Sequence, residues 1–318
     1  MAAGPLPAGP VRLEVPYSRG PKGGNACGPA VLEMTAGFWR RPPAERPAAK
    51  PGKALTMIDL TGLARDRGLW ACPAEGDLPR LLERVARGYP AVALLNFGVG
   101  PWSIPHYVVV TGYDLKRPVI YFHSTWRRDS FLSPKSFQRF WKRGGSLWLT
   151  MAPPDEIRFP LSPEEANQLG VFHLETGRPE AAAAAFQQAL AGREAYLYRF
   201  NLAVALERSG RKDEAERTYR QVLAVHPFGP AFNNLAELRL KNDPGEAEKL
   251  ARQALENDPD RRAYYLDTLG LALLKGGQPE AAREQLEMAL AAAERDYPEL
   301  AGLIRGHLEE LKAKHPSN

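Results

Sequence analysis

The chain is poor in cysteine, having only Cys27 and Cys72. Two cysteines so far apart form neither a CxxC redox pair nor a zinc knuckle; they could form one disulfide, but with Cys27 as a nucleophile Cys72 is expected to be a buried apolar residue. Histidine is scarce as well, and His173, His226, His307 and His315 are scattered without metal-ligand spacing. No metal or organic cofactor is implied. No apolar run approaches the roughly 20 residues needed to cross a bilayer, so no membrane span is expected. The start, MAAGPLPAGPVRLEV, has no apolar stretch of the signal-peptide kind. A cytoplasmic protein is the default expectation, with an exported one as the alternative if a leader is missing from this chain. The chain also lacks a dense Lys/Arg run or a nucleic-acid motif, so its net charge of +5 is expected to be solvated surface and not a nucleic-acid footprint.

What is present fills an ordinary globular composition, with 44% hydrophobic and 25% charged residues over 318 positions. That length favours two domains. Charge divides them: residues 1–157 hold 21 Lys/Arg against 12 Asp/Glu, and residues 158–318 hold 21 against 25. The expected organisation is a flexible lead-in over 1–11, one domain over 12–157 and a second over 158–318.

The second half repeats. Leu169-Gly170, Leu202-Ala203, Leu235-Ala236 and Leu269-Gly270 recur at spacings of 33, 33 and 34. Thirteen residues beyond the leucines stand Ala182, Ala215 and Ala282, while the third unit reaches Ala247 one residue early. Bulky Phe186, Tyr219 and Leu286 follow. Small residues let two helices approach, a large one fills the next groove, and units must stack because one pair cannot bury its apolar face alone. Gly177, Gly210 and Gly277 fall where one helix turns into the next. The stretch from Tyr297 to Lys314 reads as an amphipathic capping helix. This pattern resembles the tetratricopeptide repeat, with about four repeats and a cap. The resemblance implies an all-α solenoid that binds a peptide or protein partner on its concave face.

The first half holds the candidate chemistry. Cys27-Gly28-Pro29-Ala30 opens an apolar helical stripe of Val31, Met34 and Phe38, at i+4, i+7 and i+11 from the cysteine. Pro29 suits a first helical turn. A thiol at a helix N-terminus meets free N–H groups and the macrodipole, which favour the thiolate. Further on, His106-Tyr107-Val108-Val109-Val110 begins a strand that runs to Asp114, with strands expected over 91–96, 119–122 and 147–151. Helical patterns fill 57–67, 77–88 and the stretch through Phe137 and Trp141. Helices first and an antiparallel sheet after them indicate an α+β fold. Trp102, Trp126, Arg127 and Arg128 would form an aromatic and basic rim, and Arg41 to Lys53 reads as an exposed loop.

The helix start at Cys27, the His-Tyr-Val-Val-Val strand and the closing Trp-containing helix and strand resemble the papain-like cysteine peptidases that process bacteriocin leaders at double-glycine sites. The similarity covers about residues 12–152 and is nearest to stand-alone bacterial members fused to repeats. It implies a Cys27 nucleophile, a His106 general base and a peptide or protein substrate cleaved through an acyl-enzyme. Family members place a Gln shortly before the cysteine as an oxyanion donor, but no Gln lies between Val15 and Cys27. Asn25 and the Cys27 backbone N–H take that place. Where the family commonly carries Asp or Asn, 17 residues after the histidine, this chain has His123, with Ser124 as the alternative third member. His123 is expected within hydrogen-bonding reach of His106. The other reading of the same departures is a catalytically degenerate peptidase fold that holds peptides as a scaffold.

Overall fold

The structure, a computed structural model, describes residues 6–7, 9–20, 26–41, 54–98 and 102–315. It divides into two compact units, Met1–Ser162 and Pro163–Asn318.

The first unit is built on β4 (Pro105–Asp114), a ten-residue strand buried at every position but its first. Its β-branched centre suits a strand covered on both faces. In the antiparallel sheet the order is β2 (Trp70–Glu75), β7 (Leu147–Ala152), β3 (Ala91–Asn96), β4, β5 (Val119–His123) and β6 (Ser130–Leu132), while β1 (Val11–Arg12) pairs with the far end of β4. Alternation along β4 divides the core. Tyr107 and Val109 join Val31 and Met34 of α1 (Cys27–Phe38) and Leu60 of α2 (Met57–Arg65). Val108 and Val110 join Leu81 of α3 (Leu78–Ala86) and Phe137 and Trp141 of α4 (Pro134–Arg143) on the other face. Local signals set the helix starts: Thr56 and Asp59 form a capping box at α2, and Ser133 caps α4 ahead of Pro134.

Two expected boundaries move. Val11 of the anticipated lead-in pairs with Tyr113, and Leu6 packs against the α3–α4 side of the core. Gly112 admits that pairing, since a Cβ there would lie 2.1 Å from the Val11 carbonyl oxygen. The first unit also runs past residue 157. Phe159 meets Tyr89 edge-on at 4.7 Å and lies 3.4 Å beneath the Arg84 guanidinium. Strand β2 was not anticipated. Pro73 interrupts its pattern, and such a strand is tolerated because β2 is the sheet edge.

The second unit is a succession of antiparallel helix pairs: α5 (Pro163–Glu175) with α6 (Pro179–Gly192), α7 (Tyr196–Arg208) with α8 (Lys212–Val225), α9 (Gly229–Arg239) with α10 (Pro244–Asn257), and α11 (Arg262–Lys275) with α12 (Pro279–Asp296). Helix α13 (Pro298–Lys314) packs on α12 and α11. The small-residue steps lie at the contacts, where the Phe186 ring leaves no room for a side chain on Gly170. Gly177, Gly210 and Gly277 take φ of +71°, +80° and +77° between the paired helices. The third pair lacks such a glycine. Asp243 caps α10 there by accepting from the Glu246 N–H, which accounts for the shortened register at Ala247.

Candidate functional site

Cys27 is the first residue of α1, half-buried, with no side chain capping the turn that precedes it. No disulfide joins it to Cys72, which is buried in β2. Around Cys27 the contacts are tight. A Cβ on Gly28 would lie 2.9 Å from Leu55, and the Tyr107 hydroxyl donates to the Leu55 carbonyl at 3.0 Å. Burial, helped by nearby Cys27 and Asp59, pushes the Tyr107 phenol up to about 12. Cys27 therefore lies at the end of the sheet where β4 begins.

His106 is at that same end, buried at 5% exposure. Its Nε2 lies 3.1 Å from Thr125 Oγ1, and Trp126 stacks on its ring at a centroid distance of 3.9 Å and an interplanar angle of 18°. Trp126 in turn meets Phe97, and Phe97 meets Phe140 of α4. Burial lowers the His106 pKa to about 4, so the imidazole is neutral at physiological pH. Among the described residues no hydrogen bond joins Cys27 to His106. Along β4, His106 pairs with Leu95, and the next residue, Tyr107, joins Cys27 in the core cluster under α1.

His123 does not reach His106. Its Nε2 donates to the Val15 carbonyl at 3.1 Å, and its Nδ1 accepts from the Asp129 N–H at 3.1 Å. Both nitrogens are thus occupied on the α1 face, where Tyr17 meets the ring edge-on. The register is the cause. A bulge between Val110 and Gly112 sets His123 opposite Val109, and the same count brings position 126 level with His106. Ser124 shapes the turn instead, accepting from the Arg127 N–H at 3.1 Å. Thr125, which sequence spacing passed over, is the residue at the imidazole, and its carbonyl accepts from the Tyr17 hydroxyl at 3.4 Å. Asn25 and residues 42–53 of the expected loop lie outside the described residues. Asp114 stays at the far end of β4, accepting from the Lys116 and Arg117 N–H groups. Trp102 and Trp126 are both exposed, although one face of Trp126 covers His106.

In the second unit the functional candidates are polar groups on the first helices of the pairs, joined by Tyr219 of α8. Asn201 donates to Asn167 at 3.0 Å, Asn234 donates to the Tyr219 hydroxyl at 3.0 Å, and Tyr219 donates to Glu207 at 2.8 Å. Next along the array, Asn233 donates to Glu237 at 2.7 Å. Among the described residues no group of three or more His, Cys, Asp or Glu side chains gathers as metal ligands, and no helix is long and apolar enough to cross a membrane.

Residues 168–230 and 235–298 match the sequence model described as tetratricopeptide repeat. The second unit is an array of these repeats, as its spacing indicated. Similar solved structures include PilF of Pseudomonas aeruginosa, at 24% identity and a TM-score of 0.42, covering 48% of this chain and 68% of that one. TTC0263, a tetratricopeptide-repeat protein of Thermus thermophilus, is also 24% identical with a TM-score of 0.42, over 49% of this chain and 84% of that one. YrrB, described as a tetratricopeptide-repeat protein with an unusual peptide-binding site, is 18% identical with a TM-score of 0.39, over 45% and 74%. No curated protein matches the chain.

Proposed function

We propose that this chain is a peptide- or protein-binding protein whose repeat array engages the partner and whose α+β unit acts as a scaffold. The carrying observation is the match of residues 168–298 to tetratricopeptide repeats in two blocks, on helix pairs that leave amide and carboxylate groups along their first helices. Arrays of this kind present a continuous surface made from several pairs, each supplying a few contacts. Affinity capture on the full chain with a peptide library tests the reading. Retained peptides should be released by substitutions on α7, α9 and α11 and not by substitutions at Cys27. Binding insensitive to the array would overturn it.

A second reading, a thiol peptidase, is favoured by one observation: Thr125 Oγ1 lies 3.1 Å from His106 Nε2, and with Nε2–H donating to it Nδ1 is the nitrogen able to take a proton. In that reading His106 turns about the start of β4 toward Cys27. The Cys27 sulfur attacks the substrate carbonyl, Nδ1 accepts the thiol proton, and the Cys27 backbone N–H steadies the oxyanion. The imidazolium passes that proton to the amine as the peptide C–N bond breaks, and water then hydrolyses the thioester, releasing the acid and restoring the thiol. The resemblance to leader-processing peptidases supports this reading. The absent hydrogen bond to Cys27 and the absent carboxylate partner weigh toward the scaffold. A peptidyl electrophile decides between them: a peptidase is labelled at Cys27 at a rate that His106→Ala lowers by about 10²-fold or more, whereas a scaffold reacts no faster than a simple thiol and ignores the substitution.

A further inference from the structure

The face between α9 and α11 is acidic and unneutralised at Glu237, a solvent-exposed residue one turn beyond Asn233. Its Oε1 accepts from Asn233 Nδ2 at 2.7 Å and from Thr268 Oγ1 at 3.4 Å. Both donors are neutral, and no ion pair reaches Glu237 among the described residues. Glu207 on α7 and Asp267 on α11 add like charge from either side. Glu207 accepts from the neutral Tyr219 hydroxyl, and Asp267 is occupied by His307 at 2.8 Å. Burial and these two carboxylates push the Glu237 pKa up, the response of a carboxylate lacking a counter-cation.

A second observation points to what is missing. Asn233 is 6% exposed, and its Oδ1 has no hydrogen-bond partner among the described residues. Its amide orientation is fixed, because the Nδ2 side must face Glu237. Asn233 lines a cavity of about 390 Å³ with Asn234, Tyr264, Tyr265 and Tyr297. Tyr264 and Tyr297 stand edge-to-face at 5.2 Å. The one cation in that lining, Arg261, is at 58% side-chain exposure and faces the Asp258 carboxylate at 3.9 Å. An orphaned acceptor, an unpaired carboxylate and two phenol rings require a ligand rich in N–H donors, positively charged and carried on an apolar stem. An anionic ligand would meet repulsion from Glu207, Glu237 and Asp267 together.

We propose that the α9–α11 groove binds an extended peptide through a lysine side chain, the ammonium seated at Glu237 beside Asn233 and the stem lying along Tyr264 and Tyr297. The proposal rests on the peptide-binding reading of the array and names its partner chemistry. It is tested on the full chain by fluorescence anisotropy with short labelled peptides of alternating Ala and Lys, Ala and Glu, or Ala and Gln. The Lys peptide should bind at least about tenfold more tightly than the other two. Glu237→Gln, which keeps an acceptor for Asn233, should erase that preference, and Tyr264→Ala should weaken the Lys peptide several-fold. Glu248→Gln on α10, whose carboxylate faces Arg252, should change nothing. Circular dichroism melts confirm that each variant is folded. Equal binding of all three peptides, or a Lys preference that survives both Glu237→Gln and Tyr264→Ala, would overturn the proposal and leave peptide binding standing. Binding of none of them would likewise overturn the proposal, while the library capture decides the peptide-binding reading.

Discussion

What touches its two nitrogens decides what a histidine does, and the first unit holds two opposite cases. His123 accepts at Nδ1 and donates at Nε2, so its neutral tautomer is fixed and its role is to tie Val15 to the turn at Asp129. His106 has one engaged nitrogen and a ring held flat by Trp126. With a folded pKa of about 4 against an ordinary 6.5, the unfolded chain binds more protons than the folded one between those values. Stability is therefore full above about pH 6.5 and falls as the pH drops toward 4, by on the order of 2–3 kcal/mol. Urea midpoints across that range should show the loss, and His106→Gln should flatten it. A second test concerns the thiols. Cys27 should be alkylated by iodoacetamide well before Cys72, because one is half-exposed at a helix start and the other is buried in β2; mass spectrometry of a time course would read the order. Cys27 and His106 stood out in the sequence because residue type and element start coincide there. Thr125 did not, because it lies in the turn beyond β5, and its place at the imidazole depends on the β4–β5 register, which residue type alone does not set.

Among the elements, the repeat steps of the array and the turns at Gly177, Gly210 and Gly277 were legible, since a step of 33 or 34 between small residues has few physical readings. The same contacts set their sensitivity. A Cβ on Gly170 would fall 2.5 Å from the buried Phe186 ring, so Gly170→Ala should destabilise by about 1–3 kcal/mol despite alanine's better helix propensity. Gly306 in α13 has nothing within 4 Å of the added atom, and Gly306→Ala should instead stabilise by about 0.5–1 kcal/mol. Chemical denaturation of the two variants side by side checks the signs. The cap carries its own pH dependence. The hydrogen bond to buried Asp267 raises the His307 pKa above its ordinary value. The stabilisation it brings is complete below about pH 6.5 and is lost as the pH rises through the raised value. Hydrogen exchange in α13 should accelerate over that rise, and His307→Gln should remove the dependence. The edge strand β2 was hidden by Pro73, and β6 by its length of three residues.

On the scale of the whole molecule, two separate cores predict two separable pieces. Residues 163–318 should express as a folded helical fragment, and residues 1–162 should keep the near-ultraviolet signal of buried Trp70 and Trp148. A fragment that melts without cooperativity would show that its core is completed by the other. The two units also differ in how the chain must wait for itself. Every helix of the array packs mainly on its neighbours in sequence, so its structure can grow as residues become available. The first unit has no such freedom, because β1 pairs with Gly112 and Tyr113 of β4, about a hundred residues on. During synthesis the N-terminal segment leaves the ribosome with its backbone groups unpaired, and it stays so until β4 has followed. Closing that long loop is entropically costly. The seating of β1 across Gly112 should be the last event in folding the first unit and the first to reverse.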